Sequence, residues 1–138
     1  MKLEELLTTA ETLLAPWTVG LTRFESRRLD VVVKRDDLVA AAGALVDARW
    51  GYLSAITGLD LPWPKTPPKT DAPPAPPLED QLEALYHFVE GAAVVTLRVR
   101  VPYSDARVPS ICGPVPTATL YERELREMFG IEVVGTPV

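Results

Sequence analysis

Residues 82–101 read LEALYHFVEGAAVVTLRVRV, and their second half decides the fold. Val95, Leu97, Val99 and Val101 alternate with Thr96, Arg98 and Arg100. A period of two is that of a strand with one packed face, since successive side chains point to opposite sides of a sheet. Glu90 and Gly91 form a turn candidate just before it, and residues 82–89 supply a first strand. The stretch therefore predicts a hairpin over 82–89 and 93–101. Arg98 and Arg100 fall on the other face, where they are solvated or meet carboxylates of a neighbouring subunit. His87, in the first strand, reads as a satisfied strand histidine rather than a catalytic one.

Upstream of this hairpin, Leu3, Leu6, Leu7, Ala10, Leu13 and Leu14 recur at helical spacing, with Glu4, Glu5 and Glu11 off that stripe and Pro16 at its end. This predicts an amphipathic helix laid on a core. Residues 19–24 and 29–34 are short β-rich runs with 25–28 between them, a hairpin with weak turn chemistry. Asp36 is placed to cap a helix through Leu38, Val39, Ala42, Leu45 and Val46 that ends near Gly51. Residues 52–60 read as a strand interrupted at Gly58. Eight of the fourteen prolines then crowd into 61–77. Without backbone donors that segment is excluded from a sheet interior and is expected as an extended surface loop. Residues 102–116 read as irregular. Thr117 or Thr119 is placed to cap a last helix over 120–129 that Gly130 stops. A short apolar run, 131–134, follows. The expected fold is α+β: two layers, a mixed or mainly antiparallel sheet with helices packed on one face, and a proline-rich loop, all within a single domain spanning 1–138.

Composition excludes several functions. A 138-residue chain buries roughly two thirds of its unfolded surface in one core. Its 47% hydrophobic and 24% charged residues are those of an ordinary globular protein. A net charge of −5 disfavours a nucleic-acid partner, which needs concentrated Lys and Arg. No apolar run approaches the roughly 18–20 residues of a membrane span. The opening Met1-Lys2-Leu3-Glu4-Glu5 lacks the layout of a secretory signal, which points to a cytoplasmic protein. Cys112 and His87 are the only residues of their kinds, so neither an internal disulfide nor a Cys-based zinc or iron–sulfur site is expected in this chain. Cys112 is expected as a small, partly buried packing residue. There is no dinucleotide fingerprint, no phosphate-binding loop and no nucleophile elbow. No catalytic, cofactor-binding or metal-ligating residue is assigned.

The last helix is the informative constellation. At 100° per residue, Leu120, Tyr121, Leu125, Met128 and Phe129 fall within about 180° of arc. Glu124 lies inside that arc, at about 40° from Leu120. It is expected to face the core or a partner and to be paired, because an unpaired buried charge is costly.

These same residues carry a family resemblance. Tyr121-Glu122-Arg123-Glu124-Leu125-Arg126-Glu127-Met128-Phe129-Gly130-Ile131, with Gly135 and Pro137 behind it, resembles the signature of the 30-kDa (C) subunit of respiratory NADH:quinone oxidoreductase. Residues 53–60, Leu85-Tyr86-His87-Phe88 and Val108-Pro109-Ser110-Ile111 resemble upstream family segments in the same order. The resemblance covers roughly 50–137 and is most specific in the last twenty residues. It implies a two-layer α+β subunit without a cofactor of its own, whose interface signature comprises Tyr121, Glu122, Arg123, Glu124, Met128, Phe129 and Gly130. It also implies partners: a large quinone-site subunit and iron–sulfur subunits that hold the clusters and the quinone. The place would be peripheral, on the cytoplasmic side of the cell membrane.

Two departures stand out. The family's Gly-His-Pro reads Gly135-Thr136-Pro137 here, and the family's usual continuation does not follow. Short related subunits of energy-converting membrane-bound NiFe hydrogenases share that brevity, so a hydrogenase-like partner with a NiFe centre is the alternative assembly. Two readings from other classes compete with a structural subunit. One is a soluble adaptor using its proline-rich loop. The other is an enzyme with Glu124 and His87 as acid and base in a shared pocket.

Overall fold

A computed structural model describes residues 2–61 and 80–137. The expected hairpin is its centre: β4 (Gln81–Glu90) and β5 (Ala93–Pro102) pair antiparallel from Gln81↔Pro102 to Glu90↔Ala93. Val95, Leu97, Val99 and Val101 are all buried on one face, as their alternation requires. β1 (Gly20–Glu25) and β2 (Arg28–Val32) form the second hairpin, and β3 (Tyr52–Leu61) pairs with β4. The resulting five-stranded sheet has the order β1-β2-β5-β4-β3. β2 runs parallel to β5, and the other three pairings are antiparallel, so the sheet is mixed.

α1 (Leu3–Leu14) and α2 (Leu38–Asp47) lie on one face of this sheet, with α3 (Thr119–Phe129) on the same side. Leu7, Ala10 and Leu14 of α1 and Leu38, Ala41, Ala42 and Leu45 of α2 meet Leu29, Val31, Tyr86, Phe88, Val95, Leu97 and Val99 in one core. Burying each large aliphatic side chain contributes about 1.5–3 kcal/mol, and this stabilises helices whose lengths alone are marginal. The Trp50 indole N–H donates to the Leu6 carbonyl at 2.9 Å, tying the exit of α2 to α1. α2 spans the crossover from β2 to β3, two strands running the same way with the β4–β5 hairpin inserted between them.

Several local expectations change. β3 is continuous through Gly58, and its irregularity sits between Leu53 and Ala55. Neither Asp36 nor Thr117 or Thr119 caps a helix: short 3-10 turns, Arg35–Asp37 and Pro116–Ala118, lead into α2 and α3, with no side-chain cap at either. The segment read as irregular contains β6 (Arg107–Pro109), which pairs parallel with β7 (Glu132–Val134). A three-residue pair carries too short a period to register in sequence. From residue 62 on, the proline-rich segment lies outside the described residues.

Candidate functional site

α3 begins and ends as its residues dictate. Gly130 terminates it in the left-handed conformation, φ 70°, where its N–H donates to the Arg126 carbonyl at 3.0 Å. The buried side of α3 runs through Glu122 and Leu125, with Tyr121 and Phe129 half-buried beside them and Ala118 buried just before. Phe129 lies over Gly58 of β3, so close that a Cβ there would sit 2.4 Å from the ring. That glycine is the seat on which the C-terminal end of α3 rests.

Glu122, not Glu124, is the inward carboxylate of this helix. It is buried and accepts four hydrogen bonds. The Ser110 hydroxyl (2.7 Å), the Cys112 thiol (3.0 Å) and the Thr136 hydroxyl (3.0 Å) donate to Oε1, and the Ile111 N–H (2.9 Å) donates to Oε2. One carboxylate thus fastens the loop at 110–112, the helix and the 135–137 tail together. Cys112 is half-buried, and its thiol is one of those four donors. Thr136, at the position where the resembling family has histidine, supplies another.

Glu124 is exposed, which corrects the expectation that it faces the core. The reason lies in the width of the apolar arc. Its residues divide into two neighbouring stripes: Tyr121, Leu125 and Phe129 at about 100–180° pack inward, together with Glu122 at about 200°. Leu120, Glu124 and Met128, at about 0–80°, face out. Leu120 is 68% and Met128 72% exposed, a large apolar pair on the outer side of the helix. The i, i+3, i+4 spacing of 118, 121, 122, 125 and 129 was the available signal for Glu122. Arg123, Arg126 and Glu127 are also exposed. With Val133, Thr136 and Pro137 they line an open cleft of about 500 Å³ between α3 and the tail.

His87 stands on the opposite, helix-free face of the sheet. Its Nδ1 lies 2.9 Å from Thr96 Oγ1 and its Nε2 2.9 Å from Thr57 Oγ1, so a neutral ring satisfies both nitrogens. Burial pushes its pKa below the usual value, and Arg28 and Arg98 add to that push against Asp30. His87 and Glu124 are on different sides of the sheet and share no pocket. Arg98 and Arg100, expected to be solvated or to meet a neighbour's carboxylates, bind carboxylates of this chain, and Arg100 stays half exposed. Arg98 pairs with Glu83 and, at 3.0 Å, with Asp30, and Arg100 pairs with Glu83 at 3.0 Å. Among the described residues no three His, Cys, Asp or Glu side chains converge as a metal-ligand set. Among the same residues no helix is long and apolar enough to cross a membrane.

The family described as respiratory-chain NADH dehydrogenase, 30 kDa subunit, matches residues 31–138. The chain belongs to that family. The C subunit of NADH-quinone oxidoreductase from Rhizobium rhizogenes is 28% identical over 111 residues, covering 79% of this chain and 50% of that protein. Its counterpart from Herpetosiphon aurantiacus is 30% identical over 118 residues, covering 82% and 61%. The chain thus spans about half the length of these curated 30-kDa relatives. Among solved structures, the trypsin-resistant fragment of Nqo5 superposes with a TM-score of 0.61 at 23% identity, covering 100% of this chain and 99% of that one. A chain of the membrane-bound sulfane sulfur reductase, an archaeal respiratory membrane complex, superposes with a TM-score of 0.67 at 22% identity, covering 97% and 71%. The 30-kDa fold is common to both.

Proposed function

We propose that this 30-kDa-family chain is a non-catalytic subunit of the peripheral arm of a membrane-associated NADH:quinone oxidoreductase-type complex. It docks on the large quinone-site subunit and its iron–sulfur neighbours, and those partners hold the clusters and the quinone. One observation carries the reading: α3 is fixed from behind by the four-donor Glu122 hub while it presents Leu120 and Met128 outward. A rigid helix displaying large exposed apolar side chains is the anatomy of a docking element, because the apolar area is removed from water only when a partner covers it. The complex lies on the cytoplasmic side of the membrane, and this subunit is held there through its partners.

The test is an affinity pull-down of the tagged protein from mildly solubilised native membranes, with partner masses and metal content recorded. A large subunit recovered with iron and with flavin or quinone is the expected result. Iron with nickel would place the same subunit in a hydrogenase-type assembly, an outcome kept open by the fold's presence in another respiratory membrane complex. Recovery of the protein alone as a soluble monomer would sink the proposal. Charged replacements on the outward stripe, Leu120→Glu with Met128→Glu, should release the partners while the isolated chain stays folded.

A further inference from the structure

The helix-free face of the sheet is built in rows that the strand register fixes. One row runs Leu59, Glu83, Arg100; the next Thr57, Leu85, Arg98, Val32; the next Ala55, His87, Thr96, Asp30, Thr22; the last Tyr52, Val89, Val94, Arg28, Glu25. Four side chains here, Glu83, Leu85, Thr96 and Asp30, are buried although all the described helices are on the other side. The carboxylates are sunk and the guanidiniums lie over them. Asp30 accepts from Arg28 Nε at 2.7 Å and from Arg98 at 3.0 Å, and Glu83 accepts from Arg98 and, at 3.0 Å, from Arg100 Nε. What this face offers outward is therefore cationic at its centre. Arg100 is 51% exposed, and its two terminal nitrogens find no partner among the described residues. The carboxylate Glu25 lies opposite Arg28 at the β1 corner and offsets its charge there, leaving Arg100 at the other end of the face. Along the β3 edge the same face carries Tyr52, 66% exposed, and Leu59, also exposed.

We propose that this face is a second docking surface, which receives a protein surface presenting a carboxylate to Arg100 and apolar groups to Tyr52 and Leu59. The inference rests on the subunit reading above and names a partner chemistry for it. Exposed tyrosine and arginine are the residue types that dominate binding energy at protein interfaces. Glu83 holds the Arg100 guanidinium in one pose, so less side-chain entropy is lost on contact. Charge decides among occupants. A second copy docking by the same face would set guanidinium against guanidinium wherever Arg100 lies near the two-fold axis. An anionic membrane surface calls for clusters of about four to eight cations, more than emerge here.

The experiment uses the full chain in its native membranes. A photo-crosslinking benzophenone side chain replaces Tyr52, and Arg100→Glu is made separately in the wild-type background. The expected result is a crosslink from position 52 to another subunit through an acidic segment, with recovery of that subunit by Arg100→Glu reduced about tenfold or more. The urea midpoint of the isolated Arg100→Glu chain checks its folding, and the crosslink stands as the independent measurement if that variant is destabilised. Crosslinks only to a second copy or to lipid would overturn the inference. So would co-purification of partners with no crosslink from position 52. In that last case the subunit reading survives. If the wild-type chain recovers no partner, both fall.

Discussion

Replacing Glu122 tests the hub that positions α3. In Glu122→Ala the Ile111 N–H and the Ser110, Cys112 and Thr136 donors all lose one acceptor. The hydroxyls and the thiol can rotate toward other acceptors, whereas the Ile111 N–H is fixed by the backbone and buried. Leaving it unsatisfied costs about 1–3 kcal/mol, and losing charge-assisted bonds from two hydroxyls adds roughly 1–2 kcal/mol net. The expected loss is thus about 2–5 kcal/mol, which lowers Tm by about 6–20 °C for a chain of this size. Glu122→Gln should cost less, about 1–2 kcal/mol. Its amide can turn the carbonyl oxygen to Ile111 and donate from nitrogen to the Ser110 oxygen. Urea titration followed by tryptophan fluorescence gives the two midpoints, and hydrogen exchange at Ile111 reports the hub directly. Glu122→Ala within about 1 kcal/mol of wild type, with the Ile111 amide still protected, would rule out the hub as the anchor of α3.

Acidification offers a second test. The folded-state pKa of His87 is lowered by burial, so in the window that opens as pH falls through the ordinary value of about 6.5 the unfolded chain binds more protons than the folded one. Stability should therefore fall as pH drops through that window, and His87→Gln should flatten the dependence in urea titrations across it. The chain has one histidine, so the assignment is clean. Gly58→Ala should cost about 1–3 kcal/mol, because its Cβ meets the Phe129 ring. Phe129→Leu should recover part of that loss, and additivity in the double-mutant cycle would count against the contact. Tyr86 is buried with no hydrogen-bond partner for its hydroxyl among the described residues. Tyr86→Phe should accordingly leave stability unchanged or raise it by about 1 kcal/mol in calorimetry, and a clear loss would reveal a hidden partner.

The fixed α3 explains why one carboxylate of the Glu122/Glu124 pair is structural and the other is not. The two side chains are about 160° apart around the helix, so burying one exposes the other. The outward stripe beside Glu124 is then free for contact, and the second surface lies on the far side of the sheet around Arg100. Two outward surfaces on opposite faces suit a subunit seated between neighbours better than one ending an assembly.

Elements with a strong period are legible from the chain alone. α1 runs over the same residues the spacing marks, Leu3–Leu14, and the alternation over 95–101 marks the inward face of β5. Gly130 stops α3 for a purely local reason, its freedom to adopt positive φ. Packing settles what depends on partners distant in the chain. Leu120 and Met128 are as apolar as Leu125, and only the docking of α3 on β3 through Phe129 and Gly58 selects which stripe is buried. The same holds for charge. Spacing sets Glu122 on the stripe of 118, 121, 125 and 129 and Glu124 on that of 120 and 128, but only the 110–112 loop and Thr136, by bringing four donors to Glu122, decide which carboxylate can be buried. Arg98 and Arg100 likewise find Glu83 only through the β4–β5 register, and Asp30 reaches Arg98 only because β2 lies beside β5. Periodicity is written residue by residue along one element. Pairing of charges across elements is a property of the packed sheet.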